Sequence, residues 1–550
     1  MIEYSKKFQI FDSDALKNFH KRIFFSIIIF LCCYSIAIFR IANVMILNIN
    51  NINSAEIIKN VERGKIYERN GQLLATNIKS YSLVANSLKI KDKLQLSEKL
   101  SLIIDIKSET IYEKLNLNKT YVYLKRNISP KEHQKIIKLG EINLKTEVRS
   151  KRIYPFKNSS SHVVGYVNID GFGLAGAERG FEKNLNQGED IFLTIDINLQ
   201  NAIRNELLHT IKKFSADSGL AIIMDLKTGE ILASNSYPDF DPNNNKTFSA
   251  NNLLNRSIQA NYEMGSTFKP LTVAMGFDKN LINPEMSFDV SKPIKNTIHD
   301  YHEYDGIYSI KEIIVNSSNI GAAKIAEIIG KKNQKDFFEK IGFNKKIDFQ
   351  LKEAANPLGN NYNWGPIETM TIGYGHGFAV TPLHLISAYA TISNEGKKIN
   401  PKIFLHENNS SNNEQIVKKE TSNYFLSLLR AVVLETKFTG KQVKIEGYEI
   451  GGKTGTASLN KNGKYLKNSN LTSFISVFPI SKPKYVVLAI IENPKQTKKI
   501  KRLTGAQVSA PLVKNIILRM IEILNIPRIY NEKILNAATT LNYKKNNVVN

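Results

Sequence analysis

From Ile23 to Phe39 the chain carries no charge at all, a run just long enough to match the roughly 17 to 25 residues that cross a bilayer as a helix. Ile41 to Leu47 extends it if the Arg40 side chain snorkels to the interface. Lys6, Lys7, Lys17, Lys21 and Arg22 crowd the N-terminal flank against Glu3, Asp12 and Asp14, while beyond Arg40 the next basic residue is Lys59. This asymmetry predicts an N-terminus in the cytoplasm and everything after about residue 48 outside it. A cleaved signal peptide is the competing reading, but its apolar core is shorter, about 7 to 15 residues, and no small-x-small site follows.

The run also holds both cysteines, Cys32 and Cys33, so no outer domain can contain a disulfide. At 550 residues the chain exceeds one ordinary core, and two or more domains are expected. Its net charge of +25 comes from lysines spread along the chain, with no zinc-ligand spacing, RNA-binding aromatic motif or phosphate-cradling loop beside them. No nucleic-acid partner is therefore expected.

Past the anchor, Arg63 to Ala75 contains the turn dipeptide Asn70-Gly71 between two extended runs, a β-hairpin pattern. Lys-rich helical patterns follow at 94–106 and 130–139, without a cluster of catalytic residue types, which suggests a structural or docking module. The glycines Gly171, Gly173 and Gly176 are not framed as a dinucleotide loop. A new texture begins near Asp190. An amphipathic helix over 200–214 precedes strands at 219–225 and 230–234, joined at Lys227-Thr228-Gly229. Helices are expected at 271–277, 309–315 and 320–329, then strands at 448–457, 472–478 and 485–492, and a last helix over 509–524 with Ser509 as its cap. Strands at both ends with helices between them imply an α+β layer structure whose terminal segments meet in one sheet. His406 to Glu414 reads as a surface loop and Leu541 to Asn550 as a disordered tail.

Within this region Ser266 and Lys269 lie three residues apart where an apolar helix begins, so the lysine amine is expected within reach of the serine hydroxyl. Serine is a poor nucleophile at neutral pH. Lys269 must therefore be largely neutral to take its proton, which requires desolvation or a neighbouring cation, and Lys453 is the candidate. The same spacing at Ser458/Lys461 and Ser481/Lys484 reads as loop. What distinguishes Ser266 is order: Ser317-Ser318-Asn319 follows, directly before an apolar helix, and then Lys453-Thr454-Gly455-Thr456 in an alternating strand.

With these three motifs the sequence resembles the penicillin-recognising serine acyltransferases, specifically the class B penicillin-binding proteins of bacterial cell division. The likeness extends to Arg63-Gly64, Gly171 to Phe181, Asp225 with Thr228 to Ala233, Gly373 to Gly377 with Thr381-Pro382, and Val508 to Pro511. Glu68 stands where the family commonly has Asp, and the loop from Lys495 to Arg502 is more basic than usual, which reads as a solvated surface. The resemblance implies an α+β fold: the penicillin-recognising serine transpeptidase domain (mainly antiparallel sheet flanked by helices), a pedestal module and one transmembrane helix. The expected division is a cytoplasmic tail over 1–22, an anchor over 23–47, a non-catalytic pedestal or dimerisation-like module over 48–189, the transpeptidase domain over 190–527 and a tail over 528–550.

It further implies that Ser266 and Lys269 carry acylation. Ser317 would relay a proton to the leaving amine, and Asn319 would hold the substrate's peptide amides. Lys453 and Thr454 would hold its terminal carboxylate, Gly455 would leave room against the strand edge, and the amides of Ser266 and Thr456 would form the oxyanion hole. The implied substrate is the D-alanyl-D-alanine end of a peptidoglycan stem peptide, mimicked by β-lactams, with no metal or cofactor. His376 is expected to line a turn or pocket, since the Ser-Lys pair needs no histidine. The implied partners are a membrane-embedded glycan polymerase and other division proteins, with a septal role carried by Gly373 to Gly377 and Ser509 to Pro511. A D,D-carboxypeptidase or serine β-lactamase would share the motifs, though a β-lactamase needs neither anchor nor pedestal. An idle scaffold would be expected to have lost a motif, and a β-lactam sensor to carry further signalling segments.

Overall fold

The computed structural model describes residues 13–42, 61–302, 306–359, 364–405, 414–436, 439–461, 464–528 and 548–549. The apolar run forms part of one helix, Ser13–Ala42, that begins ten residues earlier than the run itself. Its section His20–Arg40, with a mean hydropathy of 2.3, is long and apolar enough to cross a membrane, and its side chains are exposed. Residues 1–12 and the predicted extension over 43–47 lie outside the described residues.

The chain from Glu62 onward is a second compact unit. Its first part is built on the long strand Leu73–Ala85, along which Leu144–Ile153 runs antiparallel while Val122–Ile128 pairs with its far end. Helices Lys93–Ile104, Ser108–Leu115 and Pro130–Lys138 close a separate small core around Leu83, Leu100, Ile111 and Leu124. The hairpin at Asn70-Gly71 joins Ile66–Tyr67 to Leu73. Glu68 is fully buried beneath it and accepts hydrogen bonds from Asn70 N (2.7 Å) and Gln72 N (3.0 Å), so its carboxylate serves as the turn's internal cap.

The glycine-rich segment has a different purpose from nucleotide binding. It delivers the buried Glu178 between two arginines, at 2.8 Å from Arg63 and 2.7 Å from Arg152, and Arg63 also reaches Glu182 at 2.7 Å. Ile66 pairs parallel to Ile191, which ties this module to the start of the next.

The second part is organised by a five-stranded antiparallel sheet in the order Gly451–Lys461, Lys464–Phe478, Tyr485–Glu492, Ser218–Asp225, Ile231–Tyr237. The two terminal segments of this part thus meet in one sheet, as the strand pattern predicts. Side-chain alternation sorts the two faces: Ala221, Ile223, Val487 and Ala489 face a core shared with helices Ile197–Phe214 and Ser509–Ile523, while Leu220, Ile222, Val486 and Leu488 face the helical lobe. Because both faces are covered, these strands read as nearly unbroken apolar runs. In that lobe the helix Lys269–Asp278 is buried along its whole length from Lys269 to Gly276, so it cannot be amphipathic and is not.

Several boundaries differ from the sequence reading. The strand expected at Tyr448 starts at Gly451, and its hairpin continues to Lys461, so Ser458/Lys461 lies in a strand rather than a loop. Ser509 is the first residue inside its helix, not the cap; its hydroxyl lies 3.0 Å from the Thr472 hydroxyl. Helices Pro382–Ser393, buried throughout and capped by the Thr381 hydroxyl on His384 N, and Lys419–Glu435, which buries Thr421, Phe425, Leu428, Leu429 and Val432, were not among the expected elements. Residues 406–413 and 529–547 lie outside the described residues; of the expected tail, Val548–Val549 runs parallel to Ser287–Asp289.

Candidate active site

Ser266 sits in the turn Gly265–Thr267, three residues before the helix that starts at Lys269, at a cleft of ≈ 240 Å³ lined by Ser266, Asn319, Tyr374, His376, Thr456 and Tyr465. The turn is fixed from behind. Gly265 N donates to Gly375 O (3.1 Å), Thr267 Oγ1 to Met264 O (2.7 Å) and Tyr389 OH to Thr267 O (2.6 Å). Gly375 has φ +81°, and a Cβ there would stand 2.3 Å from Gly265 O, so the residue must be glycine for the two segments to touch.

Lys269 follows at the start of the helix, with no exposure at all. Its Nζ donates to Ser317 O and, at 3.2 Å, to Ser317 Oγ. Lys453, 1% exposed on the edge strand, places its Nζ 2.9 Å from the same Ser317 hydroxyl and 3.2 Å from Thr454 O. One hydroxyl therefore joins two buried lysines. Burial, reinforced by the charge of Lys453, holds the Lys269 amine well below its ordinary range. Burial alone brings Lys453 down to about 7. The expected direct Ser266–Lys269 bond is replaced by this bridge, because the helix starts at Lys269 and its side chain runs inward toward Ser317.

Ser317 ends the helix Ile310–Asn316 in the left-handed region, φ 62° and ψ 39°, an uncommon conformation for serine. It persists because both neighbours are pinned: Ser309 and Glu312 form a capping box at the start of that helix, and Ser318 caps the next through Gly321 N. Asp300 secures the junction. Its carboxylate accepts from Ser318 Oγ (2.7 Å), from Asn319 N and from Ile320 N (3.2 Å). Asn319 Nδ2 donates to His299 O at 2.8 Å.

Along the edge strand, Lys453 pairs with Ile475, Gly455 with Ser473 and Thr456 with Thr472. Gly455 makes a close approach possible: a Cβ there would lie 2.3 Å from Ser473 Oγ and 3.0 Å from Met264 O. Thr456 Oγ1 accepts from Gly505 N at 3.1 Å, which seats the end of the basic loop on this strand. Ile500 and Leu503 pack on the core, while Lys495, Lys498, Lys499, Lys501 and Arg502 are exposed.

A family model for the penicillin-binding protein transpeptidase domain matches residues 219–518, more than half of the chain, and one for the penicillin-binding protein dimerisation domain matches residues 58–194. The chain belongs to the class B penicillin-binding proteins. Among curated proteins it is similar to the probable peptidoglycan D,D-transpeptidase FtsI of Caulobacter vibrioides, 29% identical over 85% of this chain and 82% of that protein. It is also similar to stage V sporulation protein D of Bacillus subtilis, 29% identical over 83% and 77% respectively. Of solved structures, a peptidoglycan synthetase from Bifidobacterium adolescentis shares its fold, with a TM-score of 0.67, 20% identity and coverage of 86% of this chain and 97% of that one.

In this penicillin-binding protein the structure brings Ser266, Lys269, Ser317, Asn319, Lys453, Thr454, Gly455 and Thr456 to one place. It adds residues that the motifs do not announce. Glu263 accepts from Tyr465 OH (2.9 Å) and Gly377 N (3.1 Å) and lies 3.0 Å from His376 Nδ1; the His376 and Tyr465 rings stack at 5.3 Å. His376 thus lines the cleft, as expected for a pocket residue. Tyr465 had no signal in the sequence, since its partners come from segments far away along the chain. Asp300 likewise stood outside every motif. Among the described residues no group of three or more His, Cys, Asp or Glu converges as a metal site would require.

Proposed function

We propose that the protein is a membrane-anchored serine D,D-transpeptidase that cross-links peptidoglycan stem peptides in septal wall synthesis. The observation that carries this reading is the Ser317 hydroxyl shared by the buried amines of Lys269 and Lys453 beside Ser266. Neutral Lys269 takes the Ser266 proton as Oγ attacks the carbonyl of the penultimate D-alanine. The amides of Ser266 and Thr456 hold the developing oxyanion, with each donor worth about 3 kcal/mol in related chemistry. As the C–N bond breaks, the proton returns through Ser317 to the departing D-alanine amine, which leaves an ester on Ser266. An amine from a neighbouring stem then attacks that ester, the new amide forms, and Ser266 recovers its proton.

In this scheme Asn319 holds the donor's peptide amides, Lys453 and Thr454 hold its terminal carboxylate, and Gly455 lets the peptide lie close to the strand. β-Lactams would acylate Ser266 and stall. With a tail (1–22), anchor (23–47), pedestal (48–189), transpeptidase domain (190–527) and C-terminal tail (528–550), the protein works outside the cytoplasmic membrane with a separate membrane-embedded polymerase, a reading that the basic flank before the anchor supports. The similarity to proteins named as peptidoglycan D,D-transpeptidases supports the substrate class. The test is covalent labelling of membranes with a fluorescent penicillin: the wild type should label and Ser266→Ala should not. Undiminished labelling of the mutant would remove Ser266 from the reaction.

A further inference from the structure

The cleft extends beyond the groups that the reaction uses. Its far wall is formed by Tyr374, His376 and Tyr465, and the acid that organises this wall, Glu263, is only 12% exposed. The carboxylate of Glu263 is fully engaged, with Tyr465 OH on both oxygens (2.9 and 3.1 Å), Gly377 N on one and His376 Nδ1 near the other. His376 is therefore held by one ring nitrogen. Its other nitrogen, Nε2, has only a long contact of 3.3 Å with Tyr465 OH, and the side chain is 46% exposed. An imidazolium fixed in this way offers the cleft a positive charge and an N–H held only by that long contact.

The direction of the donor peptide, as given by the proposed function on which this inference rests, says what would meet that charge. The terminal carboxylate lies at Lys453 and Thr454 and the reacting carbonyl at Ser266. The stem must then leave along the strand past Thr456 toward Ser458, where a rise of about 3.3 Å per residue carries it to the end closed by Tyr465 and His376. We propose that His376 recognises a carboxylate on the side chain of the stem residue that precedes D-alanyl-D-alanine, with Glu263 as its positioning residue. A diamino acid bearing such a carboxylate, like diaminopimelate, fits; lysine, which lacks it, does not.

The titratable groups facing His376 are Glu263 from the strand Tyr262–Glu263, Tyr465 from the neighbouring hairpin and Tyr374 from its own segment. The hydrogen bond and charge of Glu263 raise the imidazole above its ordinary value, so it stays protonated further toward neutral pH. Burial pushes Tyr374 up to about 12, so it remains neutral.

The experiment uses the full-length protein in detergent and measures acylation of Ser266 by two peptides, diaminopimelyl-D-alanyl-D-alanine and lysyl-D-alanyl-D-alanine, from pH 5.5 to about 9. Wild type should prefer the first about five- to tenfold at the acid end, the size expected of one charge-assisted hydrogen bond in a half-open site, and lose the preference as pH rises. His376→Gln should bring the ratio to about one. His376→Arg should keep the preference and remove its pH dependence, and Glu263→Gln should move the loss to lower pH. Equal rates for wild type at low pH, or an unchanged ratio in His376→Gln, would overturn the proposal. Labelling of wild type by fluorescent penicillin separates the two levels: labelled protein without preference sinks only the His376 assignment, while unlabelled protein sinks the transpeptidase reading itself. If His376→Gln does not fold, the wild-type pH profile and His376→Arg still decide.

Discussion

At the scale of single residues, the site depends on keeping two amines in a place that disfavours their charge. Lys453 titrates near about 7 instead of its ordinary 10.5 because it is buried, a penalty of up to about 4 kcal/mol at neutral pH. Its folded value is depressed, so the penalty is fully present at and below pH 7 and vanishes as pH approaches 10.5. Lys453→Met should therefore raise the melting temperature measured at pH 7, while abolishing stable binding of the substrate carboxylate. It should also move the acid limb of Ser266 acylation to higher pH, because burial alone would then lower Lys269, without the added charge of Lys453. An unmoved limb would exclude Lys453 as a contributor to that shift beside burial. Ser266, Lys269, Ser317 and Lys453 stood out as candidates in ordered short motifs, since each lies beside a helix end or in an edge strand with its own local pattern. Their hydrogen bonding did not. The spacing of Ser266 and Lys269 suggested a direct bond, and the packed lobe turned the amine to Ser317 instead.

At the scale of elements, the turn that carries Ser266, the proposed nucleophile, is held by a neighbouring loop rather than by its own helix. Gly375 supports Gly265 through one hydrogen bond and a contact too close for any side chain. Gly375→Ala, at φ +81° and facing Gly265 O at 2.3 Å, should cost about 1–3 kcal/mol and slow penicillin labelling at least about tenfold. The paired measurement is a thermal melt with a labelling time course; unchanged labelling would show that the turn stands without its buttress. Strand positions were readable to within a few residues because both sheet faces are covered and apolar residues run on without interruption. The helix Pro382–Ser393 was not, because a helix buried on every side loses the periodicity by which it is recognised, although its Thr381-Pro382 start was a readable cap.

At the scale of the whole molecule, the pedestal depends on one buried acid. Glu178→Ala would leave Arg63 and Arg152 without their shared partner and should cost about 3–5 kcal/mol, seen as an earlier first transition on heating, with penicillin labelling at low temperature retained. A single unshifted transition would mean that the arginines find other acids. The anchor has its own test. Protease added outside osmotically opened cells should release the penicillin-labelled domain and leave a fragment containing His20–Arg40, whereas protection would invert the proposed topology.

Two properties were decided by the chain alone. The uncharged run makes a helix long and apolar enough to cross a membrane because its length matches bilayer thickness at the rise of a helix. The nearly unbroken apolar strands make a sheet covered on both faces because successive side chains point to opposite faces and both sets are apolar. Tertiary structure decided the rest: which residues share a hydroxyl, how far two lysines lose their charge, and that Glu263, His376 and Tyr465 face one another across the cleft. Those properties arise from distances between segments remote in sequence and from the water that packing removes, and neither has a local signature in the chain.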